Sequence, residues 1–216
     1  MIAGHFGVAL AAKRLAPRTS LGTLVLGAQL VDLLWPICLL LGLEHVRIQP
    51  GFLPASPFDF LDYPWTHSLA MGVAWAILAG GVYFAIRRER AGAIVLGALV
   101  LSHWLLDLVV HREDLPLWPG GPKVGLGVWH SVPLTLAVEA LVFGAGLLLY
   151  TRATVARDRT GHVALWVFAA AVVGLFLGAL FGPVPTAVIP MAASTLLMAL
   201  YVPLGAWVDR HRTARV

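Results

Sequence analysis

Residues 91–119 read AGAIVLGALVLSHWLLDLVVHREDLPLWP and decide the fold class of this chain. Residues 91–110 are long and apolar enough to cross a bilayer as a helix, yet their second half carries His103 and Asp107. Side chains four apart share one helix face, so His103, Asp107 and His111 form a polar stripe. Ionisable groups are rare in membrane segments and mark functional sites there, so we predict that this stripe carries the chemistry.

The composition of the whole chain is that of a membrane protein. Of 216 residues, 59% are hydrophobic and 12% charged, and the mean hydropathy is +0.85. Soluble domains are about 45–50% apolar and about 25% charged. The net charge is +4, but the basic residues lie in short clusters between apolar runs, so nucleic acid is not implied as a partner. The lone cysteine, Cys38, excludes an intrachain disulfide and a thiolate metal site.

Hydropathy predicts an all-α, polytopic integral membrane helix bundle with about six transmembrane helices. The predicted spans are residues 20–43, 66–86, 91–110, 126–150, 162–182 and 186–208. Residues 2–15 are apolar but too short to cross, so we interpret them as an N-terminal re-entrant or half-spanning helix, with an interfacial helix as the alternative. Residues 44–64 are predicted to be a long loop in the headgroup region, with a cover over the site as the alternative.

The positions of the basic residues predict that both termini are cytoplasmic, in a multi-pass protein of the cell (inner or cytoplasmic) membrane. Three basic residues, Arg47, Arg112 and Lys123, then fall outside. The cytoplasmic set is Lys13, Arg14, Arg18, Arg87, Arg88, Arg90, Arg152, Arg157, Arg159, Arg210, Arg212 and Arg215.

Two regions differ in character within what we predict to be a single packed domain. Residues 1–150, the N-terminal half-helix and four spans, hold the polar site. Residues 151–216 form a two-span, glycine-rich scaffold hairpin. Gly174, Gly178 and Gly182 recur every four positions, a spacing that favours close helix packing, as a lipid-facing wall or a homodimer contact.

Histidines and aspartates from several segments are predicted to hold a divalent metal, with zinc the best match to mixed nitrogen and oxygen ligands. A rise of about 1.5 Å per residue places Asp32, His103 and Glu139 at a similar depth. The alternatives are that the same side chains only hydrogen-bond one another to lock the bundle, or that they form a translocation path. The predicted ligands are His5, Asp32, His67, His103 and Asp107.

Short motifs around these ligands resemble the YdjM-like family of predicted membrane-bound metal-dependent hydrolases. They are Ala-Gly-His5-Phe, Gln-Leu-Val-Asp32, Trp-Thr-His67-Ser-Leu, and Ser-His103-Trp-Leu-Leu-Asp107 followed by Leu-Pro-Leu-Trp-Pro119. The resemblance covers residues 1–126 and implies a multi-pass membrane hydrolase with these histidines and aspartates as metal ligands. The chain departs from the family pattern before Asp32 and before Thr66, which argues against a second metal unless His45, His111 and Asp114 supply its ligands.

These observations lead to a hypothesis of a membrane-embedded metal-dependent hydrolase acting on a lipid or lipid-linked substrate from the extracytoplasmic side. A metal-activated water would be the nucleophile, and Glu139 and His111 are the predicted catalytic residues. A transporter for protons or a metal ion, using the same His, Asp and Glu cluster, is the main alternative. A non-catalytic membrane scaffold is the third.

Overall fold

The computed structural model describes residues 1–215, so Val216, the end of the predicted scaffold hairpin, lies outside the described residues. Helices dominate the fold. They are α1 (Ala3–Ala12), α2 (Leu21–Leu40), α3 (Pro64–His67), α4 (Leu69–Arg87), α5 (Arg90–Val110), α6 (Val132–Ala153), α7 (Arg159–Phe181), α8 (Val188–Thr195) and α9 (Tyr201–Arg210). Short antiparallel strands pair as β1 (His45–Leu53) with β2 (Ser56–Asp62), β3 (Leu115–Pro116) with β4 (Lys123–Val124), and β5 (Thr154–Ala156) with β6 (Arg212–Ala214).

Within residues 1–215, six helical segments are long and apolar enough to cross a membrane, as predicted. They are α2, α4, α5, α6, α7 and the segment Val188–Arg210, in which a 3-10 turn at Leu196–Leu200 separates α8 from α9. The predicted half-helix is α1, an apolar helix of 10 residues, which is too short to span.

Polar side chains at helix starts explain where several spans begin. Ser20, Ser68, Ser131 and Asp158 each accept a hydrogen bond from a backbone N–H in the first turn of the following helix. The first amides of a helix have no partner within the helix, so these caps fix the start of α2, α4, α6 and α7.

Residues 44–64 do not form the predicted loop: most of them form the β1–β2 hairpin. Phe58 and Phe60 pack on Trp35 of α2 with ring centroids 6.3 and 5.7 Å apart, and the Ala55 amide donates to the Trp129 carbonyl at 3.1 Å. The hairpin therefore lies over one end of the bundle. Sequence pattern missed it because its inward aromatic residues are buried by helices distant in the chain.

Helix α1 is held inside the bundle by a close crossing with α6. A Cβ atom at Gly7 would lie 2.6 Å from the Val142 carbonyl oxygen, and a Cβ at Gly146 would clash with the Gly7 carbonyl oxygen. Glycine at both positions lets the two backbones meet. The crossing matters for function because α1 carries His5.

We expect Gly146→Ala to destabilise the protein by about 1–3 kcal/mol or more, because the added methyl group overpacks the crossing against backbone atoms. The control is Gly144→Ala on the same helix, where a Cβ meets nothing within 4 Å. Thermal unfolding in detergent measures both variants. Equal melting temperatures would contradict the close crossing.

Candidate metal centre

Four segments bring the five predicted ligands to one place inside the bundle. His5 comes from α1, Asp32 from α2, His67 from the end of α3, and His103 with Asp107 from α5. Four of them are at most 5% exposed, and the Asp32 side chain is 20% exposed. Their ligand atoms form two groups that share His103: His5 with His103 and Asp107, and Asp32 with His67 and His103.

In both groups a carboxylate oxygen lies close to histidine nitrogens. Asp32 Oδ1 lies 3.4 Å from His67 Nε2 and 3.5 Å from His103 Nε2. Asp107 Oδ2 lies 3.8 Å from His67 Nε2 and 3.2 Å from His103 Nε2. Tetrahedral ligands with bonds of about 2.0–2.1 Å have donor atoms about 3.3 Å apart, so the distances from Asp32 Oδ1 to the two histidines fit one small cation held by Asp32, His67 and His103.

His103 is oriented as metal-binding histidines usually are. Its Nδ1 lies 2.7 Å from the Ala28 carbonyl oxygen, which can only accept, so Nδ1 carries the proton and donates. Its Nε2 lies between Asp107 Oδ2, at 3.2 Å, and Asp32 Oδ1, at 3.5 Å, and is buried without a hydrogen-bond partner among the described residues. A bound cation would take this nitrogen and the carboxylates as ligands.

A second polar chain orients His67. Thr66 Oγ1 donates its one hydrogen to Glu44 Oε2 at 2.7 Å. Thr66 Oγ1 can therefore only accept from His67 Nδ1, which lies 2.7 Å away. Glu44 Oε1 accepts the amides of Trp65 and Thr66, so the carboxylate is fixed in place. The relay from Glu44 through Thr66 presents His67 Nε2 to the cluster as a lone pair.

Thr66→Val is expected to lower zinc affinity about 10–100-fold, the usual effect of losing a partner behind a ligand histidine. Thr151→Val removes a hydroxyl that donates only within its own helix, to Leu148, and should leave zinc affinity unchanged. Competition with a chelating dye measures both. Similar affinities in the two variants would contradict the relay.

His5 lies against His103 and Asp107. Its ring stacks on His103 with centroids 3.6 Å apart and planes at 6°, and its Nε2 is 3.1 Å from Asp107 Oδ1. The Met1 amino group also contacts this oxygen. Asp107 thus uses Oδ1 toward His5 and Oδ2 toward His67 and His103, and His5 remains a possible ligand together with His103 and Asp107.

Glu139, predicted as a catalytic base, lies at the N-terminus of α1. Its two carboxylate oxygens accept the Ile2 amide at 2.8 Å and the Gly4 amide at 2.7 Å. A helix that starts inside a bundle has no water for its first amides, and Glu139 supplies their acceptor. Each oxygen keeps a second lone pair and Glu139 also lines the cavity, so its role as a catalytic base stays a prediction.

His111, the other predicted catalytic residue, lies just beyond α5 against Trp129 and Phe60. Its Nδ1 lies 3.0 Å from Asp114 Oδ1 and 3.2 Å from the Tyr63 hydroxyl. Burial lowers the pKa of His111 below its ordinary value, and burial together with Asp114 raises the pKa of Tyr63. His111 is therefore a histidine oriented by a carboxylate.

A cavity of about 640 Å³ joins the cluster to its surroundings. Asp32, His67, Asp107 and His111 line one part of it. The rest of the wall is mainly apolar and comes from the β1–β2 hairpin, from α7 and from the segment after it. The apolar lining includes Trp35, Leu53, Phe58, Phe60, Leu175, Leu180, Val184, Met191 and Met198. This volume is typical of small-molecule sites, at about 300–1,000 Å³.

Other predicted residues lie apart from the cluster. His45 is exposed at the start of β1, so among the described residues it does not join His111 and Asp114 in a second metal group. Gly174, Gly178 and Gly182, predicted as scaffold or dimer contact, line the cavity. Sequence reasoning missed Glu44, Thr66 and the Ala28 carbonyl, because their roles depend on contacts between distant segments.

Comparison with protein families, curated proteins and solved structures finds no match to this chain. Its function must therefore be inferred from the geometry of the cluster and the cavity.

Proposed function

We propose that this protein is a membrane-embedded metal-dependent hydrolase that acts on a lipid or lipid-linked substrate from the extracytoplasmic side. One observation carries the proposal: two groups of possible ligands, His5 with His103 and Asp107 and Asp32 with His67 and His103, share His103 and lie beside a cavity whose wall is mainly apolar. His103 and His67 each donate from Nδ1 to a group outside the ligand set, the Ala28 carbonyl and the Thr66 hydroxyl, as metal-binding histidines commonly do. The resemblance of the ligand motifs to the YdjM-like family supports the same reaction class.

The chain's own residues supply the rest of the chemistry. A divalent cation, with zinc the best match to these donors, would lower the pKa of a water to about 7 and polarise the substrate. The Nδ1–H of His111 donates a hydrogen bond to Asp114. Nε2 is then the nitrogen that accepts a proton from water. The water oxygen bonds to the electrophilic atom, the bond to the leaving oxygen breaks, and the proton on His111 passes to that oxygen.

The distribution of charge supports access from the outer side. Arg87, Arg88 and Arg90 lie at the turn between α4 and α5, about 20 Å from His103 along the helix axis. Arginine-rich ends of spans favour the cytoplasm. The cluster and its cavity would then lie in the half of the membrane away from the cytoplasm.

A protease test checks this orientation. A tag after the last residue is expected to survive protease added to intact cells, and a tag inserted at Gly120, exposed between α5 and α6, is expected to be cleaved. The reverse pattern would overturn the orientation.

Packing below the cluster favours hydrolysis over transport. Phe6 and Leu10 of α1 and Leu24 of α2 are fully buried in one apolar core, and Leu99 of α5 is 5% exposed. These side chains fill the space between the cluster and the arginine-rich ends. An ion leaving the cluster in that direction would meet close-packed hydrocarbon.

The test uses purified protein in detergent and in vesicles of phosphatidylethanolamine and phosphatidylglycerol. We expect one zinc per chain, and lipid hydrolysis that stops on chelation and returns with added zinc. Failure to bind zinc overturns the metal proposal. Zinc binding together with zinc flux across the vesicles, without lipid products, overturns hydrolysis in favour of transport.

A further inference from the structure

The part of the cavity away from the metal ligands is bounded on one side by α7. Gly174, Gly178 and Ala179 of α7 line it and are themselves exposed at the surface of the bundle. A Cβ atom at Gly174 or Gly178 would meet nothing within 4 Å, so there is open space beside these two glycines. The cavity therefore opens sideways at the end of α7 that lies farther from Arg159.

The chemistry of this opening selects its occupant. It lies in a helix apolar enough to span a membrane, so the surrounding solvent there is hydrocarbon. Other lining residues near the end of α7 and beyond it, Leu175, Val184 and Met198, are also apolar. Water finds few hydrogen-bond partners in such an apolar space. A hydrocarbon chain passes from the bilayer into it without losing an apolar environment.

A polar group near the cluster lacks a partner. Trp35 lines the cavity, is 7% exposed, and packs with its ring centroid 6.3 Å from that of His67. Its indole Nε1 is buried without a hydrogen-bond partner among residues 1–215. A buried N–H left unpaired costs about 1–3 kcal/mol, so a turn of the indole that brings this N–H to an acceptor oxygen in the cavity would be stabilising.

We propose that the cavity binds a lipid ester with its long hydrocarbon chain in the side opening at Gly174 and Gly178 and an ester oxygen on the Trp35 N–H. The inference rests on the proposed function, since it names the substrate class of the same site. It also gives the glycine repeat of α7 a role other than contact between two copies of the chain.

The experiment measures binding of a fluorescent long-chain alkyl ester and of its butyl counterpart to full-length protein in detergent, after treatment with a chelator so that the esters are not hydrolysed; zinc stoichiometry is measured separately. Gly178→Leu places a side chain in the opening and should weaken long-chain binding about tenfold or more, with butyl ester binding and zinc stoichiometry unchanged. Gly144→Leu, exposed on α6 with open space around it, is the matched control and should bind as the wild type. Trp35→Phe should weaken both esters severalfold.

Two results would overturn the inference, and a third would overturn only the proposed function. Unchanged long-chain affinity in Gly178→Leu removes the chain subsite, and a shift from dimer to monomer in that variant assigns the glycines to an interface between copies. Unchanged affinity in Trp35→Phe removes the ester contact. Loss of zinc binding in the wild type refutes the proposed function alone, because ester binding is measured without turnover.

Discussion

His103→Ala is expected to abolish zinc binding and all metal-dependent activity. His103 belongs to both groups of donor atoms, and its Nε2 lies within 3.5 Å of the carboxylates of Asp32 and Asp107. Zinc affinity should fall further than it does when a ligand histidine loses the hydrogen-bond partner behind it, a change that costs about 10–100-fold. Isothermal titration with zinc measures the effect.

Two further variants test whether the loss of zinc binding comes from the missing ligand. His103→Gln keeps most of the side-chain volume, so it distinguishes loss of a ligand from collapse of the core. His130→Ala removes an exposed histidine whose Nδ1 lies 2.9 Å from the Gly127 carbonyl oxygen, and it should bind zinc normally. Full zinc stoichiometry in both His103 variants would exclude His103 as a ligand.

Lys13→Met is expected to be the most destabilising change outside the metal centre. The Lys13 ammonium is 4% exposed and donates to Asp209 Oδ2 at 2.7 Å and to the Thr19 carbonyl at 2.8 Å. Asp209 also accepts from the Tyr150 hydroxyl. Removing the cation leaves a largely buried carboxylate uncompensated, at a cost of about 3–5 kcal/mol. Chemical denaturation in detergent measures it.

Two controls separate the buried pair from charge in general. The double variant Lys13→Met with Asp209→Leu should recover most of the lost stability, since no lone charge remains. Arg47→Met removes an exposed cation 3.8 Å from Asp59 and should change stability by less than about 1 kcal/mol. A single Lys13→Met variant as stable as Arg47→Met would contradict the anchoring of α1 by this pair.

Helix α1 shows where sequence prediction succeeded and where it stopped. Its apolar character and short length predicted a half-helix, because both are local properties of residues 2–15. Its placement depends on distant partners: Glu139 at its start, Gly146 at its middle and Asp209 at its end. No local pattern around His5 indicates these contacts.

The catalytic residues show the same division. Burial depth predicted Glu139 as a base because depth follows from position along a helix. Which amides donate hydrogen bonds to the Glu139 oxygens depends on where α1, a segment distant in the chain, packs against α6. The β1–β2 hairpin was missed for a related reason, since its inward side chains are buried by Trp35 and Trp129 rather than by its own pattern.

By itself, the sequence determined a helical membrane protein with six segments able to span and a set of histidines and aspartates within them, because hydropathy and spacing act within about twenty residues. The tertiary structure alone decided that His103 Nε2 is left without a partner between two carboxylates, that Thr66 links Glu44 to His67, and that α7 glycines open the cavity sideways. Those features arise where backbone and side chains from distant segments meet, and only packing sets such distances.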